Sequence, residues 1–89
     1  MPTRRYRIEL KPPAAKSLAR LPVDLQKRIV RALETLAGNP RPPGVVKMVG
    51  DDNLWRLRVG DFRIVSEIHD DVLLVLVLRI GHRREVSRD

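Results

Sequence analysis

Arg56, Arg58 and Arg63 stand close together in the stretch LWRLRVGDFRIV, residues 54–65. Alternate residues of an extended chain point to opposite faces, and Gly60-Asp61 suits a two-residue hairpin turn with glycine first. In that register Val59 faces Phe62, Arg58 faces Arg63, Leu57 faces Ile64 and Arg56 faces Val65. The three arginines then share one face, with Glu67 farther along it. Trp55, Leu57, Val59, Phe62, Ile64 and Ile68 line the other. A cross-strand pair of like charges costs up to ~1 kcal/mol. Guanidinium forks match phosphate oxygens, so the face reads as a phosphate-binding surface. The plainer reading is the solvated side of an antiparallel sheet.

The tail, RIGHRREVSRD, adds Arg79, Arg83, Arg84 and Arg88 together with His82. Gly81 lets the chain leave a strand sharply, so hairpin and tail are expected to converge on one basic cleft with Lys47 at its rim. Cutting RNA with its own 2′-hydroxyl needs a base, charge stabilisation on the phosphate and an acid for the departing oxygen. Arginines supply the second of these; they stay protonated and make poor bases. His82 is the candidate proton carrier, since histidine is the side chain suited to moving protons near neutral pH, or else a surface histidine ahead of a basic run. His69, beside Asp70 and Asp71, reads as part of a turn. Two histidines with scattered acids make no metal set, and no cofactor is expected.

Composition supports a polyanionic partner. The 89 residues hold 18 Lys and Arg against 11 Asp and Glu, a net charge of +7, which favours nucleic acid. Tyr6, Trp55 and Phe62 are the whole aromatic complement, few for binding by base stacking. Contacts should therefore run mainly to phosphates. There is no cysteine, so disulfides and thiolate metal sites are excluded. The first ten residues show no apolar core of signal-peptide length. The apolar run at residues 72–78 falls far short of a membrane span. A cytoplasmic protein without a membrane partner is expected.

These side chains need a frame, and 89 residues suffice for one domain spanning residues 1–89. RYRIEL alternates Tyr6, Ile8 and Leu10 inward as a short strand. Pro12-Pro13 suits the first turn of a helix that carries Ala14, Ala15, Leu18 and Leu21. Leu21-Pro22 breaks it. A longer helix follows, with Leu25, Ile29, Ala32, Leu33, Leu36 and Ala37 as its buried stripe and Gly38 as its stop. Residues 39–53 read as a proline- and glycine-rich connection, unusually long for so small a domain. Strands follow at about 54–59, 62–69 and 72–80. The last is apolar on both faces, so it belongs inside the sheet with both sides covered and with the first strand beside it. The fold class is α+β: β-α-α-β-β-β, an antiparallel-rich four-stranded sheet with a helical hairpin packed on one face.

In this order and at these spacings, LARLP, NPRPPG, LWRLRVGDFRIV and IGHRREV resemble the RelE/ParE superfamily of toxins from type II toxin–antitoxin modules. The likeness runs from about residue 6 to residue 88. It implies a microbial ribonuclease-like (RelE-like) fold, a RelB-like acidic antitoxin partner in a hetero-oligomer, and, for the RelE type, entry into the ribosomal A site and endonuclease cleavage of the mRNA there. Carried over by motif, Arg56 and Arg58 would orient RNA and Arg63 would stabilise the scissile phosphate. Arg83, or the adjacent Arg84, would assist it or the leaving group. Where the family commonly has a catalytic tyrosine, this chain has Ser87. That departure implies attenuated catalysis. It leaves open a ParE-type gyrase inhibitor and a catalytically silent protein that binds RNA or antitoxin.

Overall fold

The computed structural model describes residues 5–50 and 53–82. Its elements run β1 (Arg7–Leu10), α1 (Pro12–Ala19), α2 (Val23–Gly38), β2 (Val45–Lys47), β3 (Leu54–Val59), β4 (Phe62–His69) and β5 (Leu74–His82). The strands form one mixed sheet in the order β1-β5-β4-β3-β2, with β1 parallel to β5 and every other pair antiparallel. This is the α+β fold with a helical hairpin that the sequence predicts, extended by a fifth strand. The added strand, β2, lies inside the stretch read as connection. It is only three residues long and flanked by proline and glycine, so it carries no periodic signal of its own. Pairing with β3 creates it.

α1 opens with prolines in its first turn and lacks a side-chain N-cap. Its other end is closed from outside: Gln26 Nε2 donates to the carbonyls of Leu18 and Ala19 at 3.0 and 3.2 Å. One amide thereby satisfies two carbonyls left over at a helix end and locks the α1–α2 turn. α2 does end at Gly38, but glycine's left-handed conformation is not what stops it. Asn39 turns extended, with φ −151°, as a residue before proline must.

Both helices cover one sheet face. Ala14, Ile29, Leu33 and Leu36 meet Ile64, Val75, Val77 and Ile80 in a core whose members are at most 7% exposed. β5 lies inside the sheet as expected, yet only its helix-facing side is fully buried. Leu74, Leu76 and Leu78 on the open side remain half-buried; among the described residues no second layer packs there. On that open face Val65 and Met48 form a small cluster with Leu54.

A β-bulge decides what the open face presents. Val65 pairs with Arg79, but Ser66 pairs with Val77, leaving Leu78 as the extra residue. An extra residue shifts the alternation of every residue beyond it. Val75, Val77 and Ile80 can therefore all face the helices, while Arg79 emerges exposed on the opposite side. No helix of the described chain is long and apolar enough to cross a membrane.

Candidate nucleic-acid interface

The hairpin has the register that its turn predicts. Leu57 pairs with Ile64, Arg58 with Arg63 and Val59 with Phe62. Gly60 has φ +59°, a left-handed conformation that glycine adopts without a Cβ penalty. Arg56, Arg58 and Arg63 consequently share the open face of the sheet. Arg79 joins them through the bulge, since Arg56 and Arg79 flank Val65 from its two sides. Gly81 stands opposite Arg63 and places no side chain beside that arginine.

Arg58 Nε donates to the carbonyl of Gly60 at 3.2 Å, which holds its guanidinium at the hairpin tip. Among the described residues no carboxylate stands within 4.0 Å of Arg58, Arg63 or Arg79. Uncompensated guanidiniums side by side on a pleated surface have the geometry for binding consecutive phosphates.

Two predicted members lie elsewhere. Lys47 pairs with Trp55 and so extends from the helix-facing side of the edge strand, not from the arginine face. His82 pairs with Phe62, and the two rings meet edge to face at 5.7 Å between centroids. The bulge is the physical reason. In an unbroken strand, position 82 would share the open face with Arg63; the extra residue turns it to the helix side. Arg83, Arg84 and Ser87 fall outside the described residues.

The sequence alone puts Arg79 in the tail and gives Arg28 no place in the buried stripe of α2. The structure brings both to the hairpin. An ideal Cβ built on Gly60 would lie 2.9 Å from Nη2 of Arg28 and 3.5 Å from its Cζ. For Arg79 the available signal was cost: an arginine followed by isoleucine at the end of an apolar strand is cheap only with Arg79 turned to solvent. For Arg28 no local signal exists, because its role depends on where α2 crosses the hairpin.

Charge is arranged differently at the other end of the sheet. Asp70, in the β4–β5 turn, accepts hydrogen bonds from Arg41 Nη1 and Nη2 at 3.1 and 2.9 Å and from the Tyr6 hydroxyl at 2.5 Å. These bonds, Arg41's foremost, hold the Asp70 carboxyl down to about 2 from its ordinary 3.8. Arg41 also lies over the Trp55 ring, 4.8 Å from its centroid. The proline-rich connection is thus tied to β1, to the β4–β5 turn and to β3. Nearby, Glu67 pairs with His69 at 2.9 Å and Arg7 with Glu9 at 2.7 Å.

Residues 8–87 match the family model described as the ParE toxin of the type II toxin–antitoxin system parDE. The chain belongs to this toxin family. Among its relatives is a protein of Methanocaldococcus jannaschii provisionally named toxin RelE1. It is 27% identical over 82 residues, covering 89% of this chain and 91% of that protein. The structure of the archaeal RelE–RelB complex from Pyrococcus horikoshii OT3 includes a chain similar at TM-score 0.79 and 25% identity, over 89% of this chain and 96% of that one. The RelBE2 toxin–antitoxin complex of Mycobacterium tuberculosis shows the same fold, at TM-score 0.77 and 24% identity over 89% and 92% of the two chains. The toxin is therefore RelE-like in fold.

Proposed function

We propose that this toxin acts on RNA, as a ribosome-dependent endonuclease that cuts mRNA in the A site and is held in check in the cytoplasm by an acidic, RelB-like antitoxin. The observation that carries this reading is the open sheet face, where Arg56, Arg58, Arg63 and Arg79 come together. Arg56 and Arg58 bind and orient the RNA backbone. Arg63, opposite the side-chain-free Gly81, stabilises the charge that develops on the scissile phosphate. Because guanidiniums stay protonated, the proton transfers fall to the segment after β5, where Arg83 or Arg84 assists the leaving group and Ser87 occupies the family's tyrosine position. His82, turned toward Phe62, takes part only if the strand end rearranges. A serine hydroxyl is a poorer proton carrier than a phenol, so turnover is slow.

The antitoxin reading rests on the RelE–RelB and RelBE2 complexes to which this fold is similar and on the charge of +7. Co-expression with the acidic product of a neighbouring gene should yield a stable hetero-oligomer. Primer extension on ribosomes programmed with a defined mRNA tests the activity, and a new cut in the A-site codon is expected. The matched family description names the ParE toxin, which favours one second reading, inhibition of DNA gyrase by protein binding. Intact mRNA together with blocked gyrase supercoiling would replace the first reading with that one.

A further inference from the structure

Two guanidiniums meet at the hairpin tip from opposite sides. Arg58 reaches Gly60 from the sheet, with Nε on its carbonyl oxygen at 3.2 Å. Arg28 reaches the same glycine from α2 and lies where a side chain at position 60 would displace it: a Cβ there would stand 2.9 Å from Nη2 and 3.5 Å from Cζ and Nη1. The chain has acids close at hand. Asp61 is the next residue, and Asp24 lies one helical turn before Arg28. Among the described residues, however, neither forms an ion pair with Arg28 or Arg58. Two like charges gathered on one turn, beside acids that do not neutralise them, make a site for an anion with acceptors on more than one side.

We propose that Arg28 and Arg58 together hold a single phosphate of an RNA backbone at the hairpin tip, and that the RNA passes from this clamp onto the Arg63 face. The choice of RNA as ligand rests on the function proposed above. A phosphodiester suits the clamp better than a carboxylate, because its unesterified oxygens diverge and can each accept from a different guanidinium fork. The clamp also gives the nucleic acid a direction. One phosphate is fixed beside the turn, so the next ones along the strand are delivered over Arg63, which faces the side-chain-free Gly81. Arg28 is thus a binding residue supplied by the helical layer to a surface otherwise built from the sheet.

The test is a double-mutant cycle on the full chain, read by fluorescence anisotropy with a labelled oligouridylate over a salt series. Arg28→Ala should weaken binding about fivefold at low salt and reduce the salt slope by less than about 0.7, the value for losing a whole phosphate contact to a single strand, because Arg58 remains on that phosphate. Arg28→Lys should recover most of the slope but little of the affinity, because a point charge replaces a fork. Adding Arg28→Ala to Arg58→Ala should cost less than the two single losses combined, since both act on one phosphate. Additive losses would show two separate contacts and end the shared-phosphate idea. Unchanged RNA affinity for Arg28→Ala, with weakened binding of the acidic antitoxin, would make Arg28 a protein contact instead. Arg28→Gln repeats the measurement if the alanine variant does not fold. Cleavage by wild type on programmed ribosomes, run in parallel, separates the two proposals: a cut with an inert Arg28 overturns only the clamp, whereas coupled binding without a cut overturns only the nuclease.

Discussion

Toward the β4–β5 turn, cations stand in contact with acids. Arg41 is chelated by Asp70, which Tyr6 also holds, and Arg7 lies on Glu9. Toward the β3–β4 turn, Arg28, Arg58 and Arg63 have no such partner among the described residues, although Asp61 is adjacent. The two ends belong to one sheet and one fold, so the difference is not forced by architecture. The paired end closes the domain: it fastens the proline-rich connection to β1, to the β4–β5 turn and to β3. The other end, whose Arg28, Arg58 and Arg63 form no ion pair among the described residues, is the end proposed to meet RNA. On the proposed reading, charge that is structurally unfavourable where it stands, in a protein that neutralises charge elsewhere, is the RNA-binding surface.

The largest effect should come from removing the arginine nearest the proposed reaction. Arg63→Ala is expected to slow single-turnover cleavage on programmed ribosomes about a hundredfold, or ~3 kcal/mol of barrier, with little change in ribosome affinity. Such a loss in rate without a loss in binding is the signature of an interaction made in the transition state. Equal, small effects from Arg56→Ala, Arg58→Ala and Arg63→Ala would return the face to an ordinary solvated surface.

Next comes the tail. Ser87→Tyr should raise the cleavage rate by at least about tenfold, within the range of a positioned acid or base, at unchanged ribosome affinity. His82→Ala should leave the rate within about twofold of wild type, because its ring lies against Phe62 on the helix side and a general acid or base must reach the proton it moves. A large loss in His82→Ala would mean that the end of β5 turns over when substrate binds.

How much of this was legible in the sequence follows from periodicity. The hairpin register was readable because Trp55, Leu57, Val59, Phe62 and Ile64 alternate cleanly with the arginines about a glycine turn, and the structure reproduces every pair. α2 was readable because its stripe keeps helical spacing from Leu25 to Ala37 within a helix of sixteen residues. β5 was not. VLLVLVLRI is apolar at every step until Arg79, so a one-residue bulge changes no visible pattern while it moves Arg79 onto the arginine face and His82 off it. β2 and Arg28 were hidden for a related reason: a three-residue edge strand and a helix-to-hairpin approach are set by tertiary contact, which local sequence does not encode. Arg41 lay in plain view within NPRPPG, but its partner Asp70 is 29 residues away.

The contrast between the ends can also be erased by substitution. Arg58→Glu sets a carboxylate opposite Arg63 and gives the hairpin the kind of pair found at the other end. An opposite-charge cross-strand pair contributes roughly 0.2–1 kcal/mol, where the native pair repels, so thermal stability should rise slightly. RNA affinity should fall by more than for Arg58→Ala, because one contact is lost and another is neutralised. A more stable protein that binds RNA less well is the expected trade-off at a working surface. A variant that gains stability and keeps its affinity would show that the face does not meet RNA.

The smallest effect is at the paired end, and it depends on pH. The folded-state carboxyl of Asp70 lies at about 2, below its ordinary 3.8. Its bonds to Arg41 and Tyr6 therefore add stability in full above its ordinary value, and that stability fades as pH falls from 3.8 toward 2. Asp70→Asn removes the charge but keeps the shape and one acceptor oxygen. It should lower the melting temperature slightly at neutral pH, in line with the modest value of exposed ion pairs, and the gap from wild type should close on acidification through that window. RNA binding at neutral pH should be unchanged, because Asp70 lies at the end of the sheet away from Arg58 and Arg63. Melting curves at neutral pH and near pH 2, paired with one anisotropy titration, decide the matter. A gap that persists in acid would mean that Asp70 acts through packing rather than charge. A change in RNA affinity would mean that the fastening of the proline-rich connection reaches across β3 to the arginines, and that the two ends are coupled.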